Sequence, residues 1–321
     1  MNKYAVTTAA LLALAAGSAF GGWVYEGKFG SHGRGDGQFL SPDGLAVAPS
    51  GRVYVADTDN HRIQYFGPNG SYLGKWGGPG TINGKFDCPG GVEVASGGRV
   101  YVCDTRSHRI QYFTPNGSFV GKWGSYGTGT GFFSFPTHLA FDPRGLLYVA
   151  DSGNDRIQYF TAAGSYRGRW GSWGQANGEF DYPRGLGVAR NNNVYVGDTT
   201  NYRVQYFTSV GSFLGKWGNR GSGPGQFRGL CGVAVAADGT VYVVDMSNHR
   251  VQYFSANGAF LGTFGSQGSG NGEFNFPVDV ALAPNGRLYV LEYGMCRVQY
   301  FRWSDPAVAP CSLGRVKALF R

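Results

Sequence analysis

The chain has 321 residues, 55 of them glycine, with 20 tyrosines, 23 phenylalanines, 7 tryptophans and a formal net charge of +8. So much glycine among so many aromatics predicts short, heavily packed strands joined by frequent turns. No long stretch carries the 3.6-residue apolar period of an amphipathic helix, which excludes helix-built folds. The positive surplus does not point to nucleic acid, because its arginines and lysines recur at fixed intervals around the molecule and form no patch.

Residues 1–19 read as a secretory signal. Lys3 supplies the charged n-region, Ala5 to Ala16 form an apolar segment too short to cross a bilayer, and Gly17, Ser18 and Ala19 set up cleavage after Ala19. An uncleaved anchor is the alternative reading of that segment. Cleavage removes one lysine and no acid, taking the formal charge from +8 to +7. The mature chain is expected to be secreted, extracellular or periplasmic, with no membrane span.

From residue 20 to residue 303 the chain is one repeat of 47 residues written six times. Arg62, Arg109, Arg156, Arg203, Arg250 and Arg297 are spaced at that interval, as are the acids Asp57, Asp104, Asp151, Asp198, Asp245 and Glu292. In the first copy, Gly44 to Ala48 is a short apolar strand suited to the innermost position. Arg52 to Asp57 follows with the β-favouring run Val53-Tyr54-Val55, and a polar loop from Thr58 to His61 leads to the third strand, Arg62 to Phe66. Pro68-Asn69-Gly70 predicts a hairpin, and Ser71 to Gly77 the outermost strand. Such a repeat cannot bury both faces alone, so the copies must pack radially. The last copy lacks the Gly-Lys-Trp-Gly element after Phe301. Gly27-Lys28-Phe29-Gly30 supplies it from the other end of the chain, so the first mature strand is expected to complete the last blade. The predicted fold is an all-β, six-bladed β-propeller of four-stranded antiparallel blades.

Asn60-His61-Arg62-Ile63-Gln64-Tyr65-Phe66, preceded by Val-Tyr-Val-Ala-Asp and Pro-x-Gly-Leu-Ala-Val, resembles the NHL repeat. The resemblance covers residues 23 to about 303 and implies six-bladed geometry. Its functional implication is broad, since propellers of this type include protein-binding modules, RNA-binding modules and a few enzymes.

Residues present six times are assigned to structure. Each Asp57-type carboxylate is expected to face its Arg62-type guanidinium across the loop between the second and third strands. Function is expected where the copies differ. At the loop leading into the innermost strand the aligned residues are Asp43, Gly90, Thr137, Arg184, Cys231 and Val278, and the next position holds His138 and Asp279. Asp43, His138, Arg184, Cys231 and Asp279 are thus expected to ring one mouth of the channel as a ligand site. Glu93 stands where the other copies carry alanine or glycine. It reads as a calcium ligand, as a general base, or as a carboxylate satisfied by backbone amides or channel water. Glu93 and His138 are the catalytic candidates. Glu93, Asp43 and Asp279 are the candidate ligands for Ca2+, the one cofactor entertained.

Five cysteines leave an odd thiol in an exported chain. Cys88 with Cys103 is the first disulfide candidate, with Cys231–Cys296 and Cys296–Cys311 as alternatives. Residues 304–321 form a basic, partly apolar tail. The expected function is a binding module for a protein, peptide or glycan, with no nucleic-acid partner. The alternative is a calcium-dependent, lactonase-like hydrolase or lyase acting in the channel.

Overall fold

The computed structural model describes residues 22–304. The expected signal segment, Cys311 and nearly all of the tail lie outside them. Six four-stranded antiparallel sheets form the blades of a closed propeller. Blade 1 comprises Gly44–Val47, Val53–Asp57, Arg62–Phe66 and Tyr72–Gly77, and blades 2 to 5 repeat it from Pro89, Pro136, Pro183 and Leu230. In blade 6 the order is Pro277–Leu282, Leu288–Glu292, Arg297–Ser304 and then Gly22–Phe29. That first strand pairs antiparallel with the last, from Gly22 opposite Ser304 to Phe29 opposite Val298, with a bulge between Tyr25 and Gly27. The ring is closed as its sequence requires.

Each second strand is buried along its whole length save Leu146 at the start of that in blade 3, so its residues alternate between the two flanking blades rather than between core and water. Val100 and Val102 pack toward blade 1, while Tyr101 and Cys103 pack toward blade 3. At five of the six seams a tyrosine of this strand also ties its blade to the next. Tyr54 donates its hydroxyl to Pro115 O at 3.0 Å, Tyr101 to Ala162 O at 2.9 Å, Tyr148 to Ser209 O at 3.0 Å and Tyr195 to Ala256 O at 2.9 Å. Tyr289 reaches Pro68 O at 2.8 Å and carries the series across the closure. The hairpin that receives each bond presses on the previous blade. Gly117, at φ 89°, lies against the Trp76 ring, where a Cβ would collide.

The polar core of every blade is one repeated network. Arg62 Nε donates to Asp57 Oδ2 at 2.6 Å, and the equivalent pairs span 2.7, 2.6, 2.6, 2.8 and 2.5 Å. The Asp57 carboxylate also accepts from Leu40 N, the Asn60 amide and Gln64 Nε2. Gln64 in turn donates to Gln38 O and accepts from Gly37 N, so the glutamine is a bracket for the crossing loop and not blade packing alone. That loop folds back on itself through a short parallel bridge, as Pro79 with Phe86 or Trp173 with Phe180. It drives a fully buried phenylalanine (Phe39, Phe86, Phe133, Phe180, Phe227 or Phe274) between neighbouring blades.

The disulfide expectation is corrected. Among the described residues, Cys88, Cys103, Cys231 and Cys296 form no disulfide with one another, and the Cys296–Cys311 alternative falls outside those residues. Cys103 faces blade 3 from the fully buried second strand, whereas Cys88 sits in a left-handed loop position, φ 50°, beside His61 of blade 1. Cys88 thus sits beside blade 1 and Cys103 against blade 3, and the two form no bond.

Candidate functional site

The innermost strands begin at one end of the central channel, where the structure brings Asp43, His138, Arg184, Cys231 and Asp279 together around a space of about 10 Å3. That is room for about one water molecule. Two ion pairs close this end. Arg184 of blade 4 donates to Asp43 of blade 1, and His138 Nε2 of blade 3 lies 3.2 Å from Asp279 Oδ1 of blade 6. Each pair is separated by 141 residues, three repeats, and therefore spans a full diameter of the six-bladed ring. Opposite charges three copies apart were the sequence signal for this bolting.

Asp279, His138, Arg184 and Cys231 each have a further partner, Arg184 reaching Cys231 Sγ at 3.7 Å. Asp279 accepts from Leu45 N at 2.8 Å and from its neighbour Val280 N at 2.9 Å, stitching blade 6 to blade 1. Leu186 N donates to His138 Nδ1 at 3.2 Å, which leaves the ring proton on Nε2, directed at Asp279. Burial works against a His138 imidazolium, but Asp279, Glu93 and Asp43 outweigh it and raise the histidine above its ordinary value. Protonation would cost the bond from Leu186. Burial pushes the Cys231 thiol up to about 11, with Arg184 opposing, so it is no nucleophile at neutral pH. It rests 3.7 Å from Met246 Sδ. Asp43→Ala is expected to cost about 2 kcal/mol, because Arg184 loses its only carboxylate in a partly exposed pair. Exchanging the two residues, Asp43→Arg with Arg184→Asp, should recover at least half of that loss in urea denaturation.

Glu93 lies on the innermost strand of blade 2, half-buried, with His138 and Asp279 as its charged neighbours. Burial raises its carboxyl to about 7, opposed by His138 and by the amides of Phe141 and Val94. The plug and Glu93 therefore form one acidic and imidazole-bearing column, without room for a substrate at the expected mouth.

The open space is at the other end. A cleft of about 1310 Å3 starts where the innermost strands finish, at Val47, Val94, Val235 and Leu282, and runs outward between blades 5 and 6. Its outer wall is Tyr242, Tyr253, Leu261, Trp23 and Trp303, with Arg190 and Asp238 as charged groups on the rim. The origin of the cleft is the ring closure. Counted by the repeat, Trp303 occupies the position of Pro68 and Trp23 that of Gly70, the residues of a hairpin turn in the other blades. Blade 6 has two chain segments in place of that hairpin, so Tyr242 has no turn to receive its hydroxyl as the other tyrosines do. It packs edge-on against Trp23 at 5.6 Å between centroids, Trp23 meets Trp303 at 5.6 Å, and Trp303 meets Tyr253 at 6.0 Å. Trp303 remains 42% exposed, presenting a ring to solvent. None of these aromatic residues is a polar outlier among the repeats. The signal was present in the turn position itself, which reads Pro, Pro, Ala, Ser, Ala and then Trp.

Comparison with known proteins agrees with this architecture. The B-box type zinc finger protein ncl-1 of Caenorhabditis elegans is 49% identical over 49 residues, which is 15% of this chain and 6% of that protein. The chain thus spans a small fraction of the length of that curated relative. A streptogramin B lyase structure shares the fold with TM-score 0.62 at 10% identity, covering 88% of this chain and 98% of that one. A Bacteroides thetaiotaomicron protein of unknown function gives TM-score 0.65 at 19% identity, over 86% and 76% of the two chains. The NHL repeat pattern matches residues 39–66, 86–113, 133–160, 180–207, 227–254 and 274–301, and the chain belongs to the NHL repeat family.

Proposed function

We propose that this propeller is an extracytoplasmic binding module for a protein, peptide or glycan, which it holds in the aromatic cleft between blades 5 and 6. One contrast carries the reading. The end of the channel that bears ionisable groups is bolted shut around about 10 Å3, while the open cleft of about 1310 Å3 is walled mainly by aromatic and aliphatic side chains. Pockets of that kind recognise ligands by shape and stacking, with a few polar groups fixing orientation. Arg190 and Asp238 on its rim oppose each other in sign, which suits a neutral sugar or an apolar peptide segment better than a polyanion. Among the described residues, no helix is long and apolar enough to cross a membrane.

Glycan and peptide arrays probed with the mature chain, followed by titration of the best ligand, test the reading. Trp303→Ala is expected to weaken binding about 30-fold or more, as a central aromatic anchor does. Asp43→Ala, at the opposite end, should leave it unchanged. Equal loss in both variants, or none with Trp303→Ala, removes the cleft as the ligand site.

The second reading is a calcium-dependent hydrolase or lyase using Glu93, Asp43, His138 and Asp279. A carboxyl raised to about 7 beside an imidazole favours it, because general bases work best near the operating pH. The likeness to a streptogramin B lyase bears on fold alone at 10% identity. Stoichiometric calcium lost with Glu93→Ala, together with lactone or ester turnover, would establish this reading over the first.

A further inference from the structure

The seam between blades 1 and 2 differs from the other five seams. At each seam the last residue of the polar loop adopts a left-handed conformation, as at His61, His108, Asp155, Tyr202, His249 and Cys296. Facing it is a second left-handed position, 27 residues later at five seams and Ser41 opposite Cys296 across the closure. Where a histidine or aspartate stands first, its side chain accepts the amide of the second residue: His61 from Cys88 at 3.1 Å, His108 from Phe135 at 3.0 Å, Asp155 from Tyr182 at 2.8 Å and His249 from Phe276 at 3.2 Å. At the two other histidine seams the ring packs on phenylalanine, with centroids 4.6 and 4.7 Å apart. At His61 the phenylalanine is replaced by a thiol, and the residue before it is Asp87 rather than serine or asparagine.

We propose that His61, Asp87 and Cys88 form a zinc site that clamps blade 1 to blade 2. Their donor atoms lie within 4.8 Å of one another, and they are the one such group of three among the described residues. His61 Nδ1 is 4.0 Å from Asp87 Oδ1. Zinc bonds of about 2.0–2.3 Å to nitrogen, oxygen and sulfur need only small side-chain rotations to draw these atoms in. The tautomer is already correct, because the bond from Cys88 N keeps Nδ1 free of a proton. Loading exchanges that bond for the metal, releases the Cys88 thiol proton to solvent and forms the sulfur–zinc bond. Cys88 is 8% exposed, whereas the His61 and Asp87 side chains are 28% and 41% exposed. The buried thiolate thus anchors the ion, and a water takes the fourth, outward position. Calcium is a poor fit, since it seeks six or more oxygen ligands and finds a single carboxylate in this set.

Cobalt(II) titration of the full mature chain tests the site. The wild type is expected to take one equivalent with a sulfur-to-cobalt charge-transfer absorption that zinc abolishes. Zinc at a hundred times its Kd should lower the unfolding constant about 100-fold. Cys88→Ser should lose the absorption and the zinc stabilisation, while His108→Ala, at the next seam, should keep both. His61→Ala leaves the thiol in place and serves if the serine variant fails to fold; it is expected to weaken cobalt binding about tenfold or more. No charge-transfer absorption in the wild type, or one that survives in a folded Cys88→Ser, overturns the proposal. So does a His61→Ala chain that binds cobalt as tightly as the wild type.

Discussion

Asp198→Ala is expected to lower the unfolding free energy by about 3–5 kcal/mol, as the loss of one partner from a buried ion pair does. The carboxylate is fully buried and accepts from Asp181 N at 2.8 Å, from the Asn201 amide at 3.0 Å, from Arg203 Nε at 2.6 Å and from Gln205 Nε2 at 3.1 Å. Its removal leaves a buried guanidinium without a counter-charge, along with several unsatisfied donors. Arg203 would still donate to Gln175 O, Ala176 O and Glu179 O, so the crossing loop should stay attached while the charge balance fails. Asp198→Asn keeps two acceptor lone pairs and the side-chain volume, and should cost about half as much. Urea denaturation of both variants separates the two contributions. Equal losses would mean that the charge, and not the hydrogen-bond count, holds the blade; a negligible loss for Asp198→Asn would mean the reverse.

The same network shows why the fold was legible from residues alone. A buried aspartate, an asparagine three residues on, an arginine at five and a glutamine at seven recur in most copies, and the arginine without exception, because each blade solves the same local problem. The missing outer strand after Phe301 was equally readable, since a four-stranded sheet cannot end after three. The site was only partly legible. Asp43, His138, Arg184, Cys231 and Asp279 do converge, but whether a ring of polar side chains is a mouth or a bolt depends on diametral distance, which repeat alignment does not measure. Cys88 and Cys103 belong to one copy, but the left-handed loop position of Cys88 beside blade 1 is a matter of backbone conformation that spacing does not reveal. Trp23 and Trp303 are ordinary aromatics in composition, and only their place in the turn position marks them.

Glu93→Gln is expected to stabilise the protein above neutral pH by about 2–3 kcal/mol and to change little below pH 4.5. Linkage between proton binding and folding sets the sign. Burial raises the folded-state pKa to about 7 from an ordinary 4.5, so between those values the folded chain holds a proton that the unfolded chain has released. Stability must then fall as pH rises through that window, at up to 1.36 kcal/mol per pH unit, a slope softened by the partial access of channel water to the carboxylate. Glutamine keeps an oxygen for the amides of Phe141 and Val94 and cannot ionise, which removes the slope. His138 reinforces the trend in the wild type, because a raised histidine adds stability at low pH and loses it as pH rises through its folded-state pKa. Without Glu93 one of the carboxylates that raise His138 is gone, and the histidine should titrate lower, which a proton NMR titration of its ring reads directly. Parallel stability curves for wild type and Glu93→Gln between pH 4.5 and 7 would show instead that Glu93 is ionised at no cost, solvated by the channel or held by a cation.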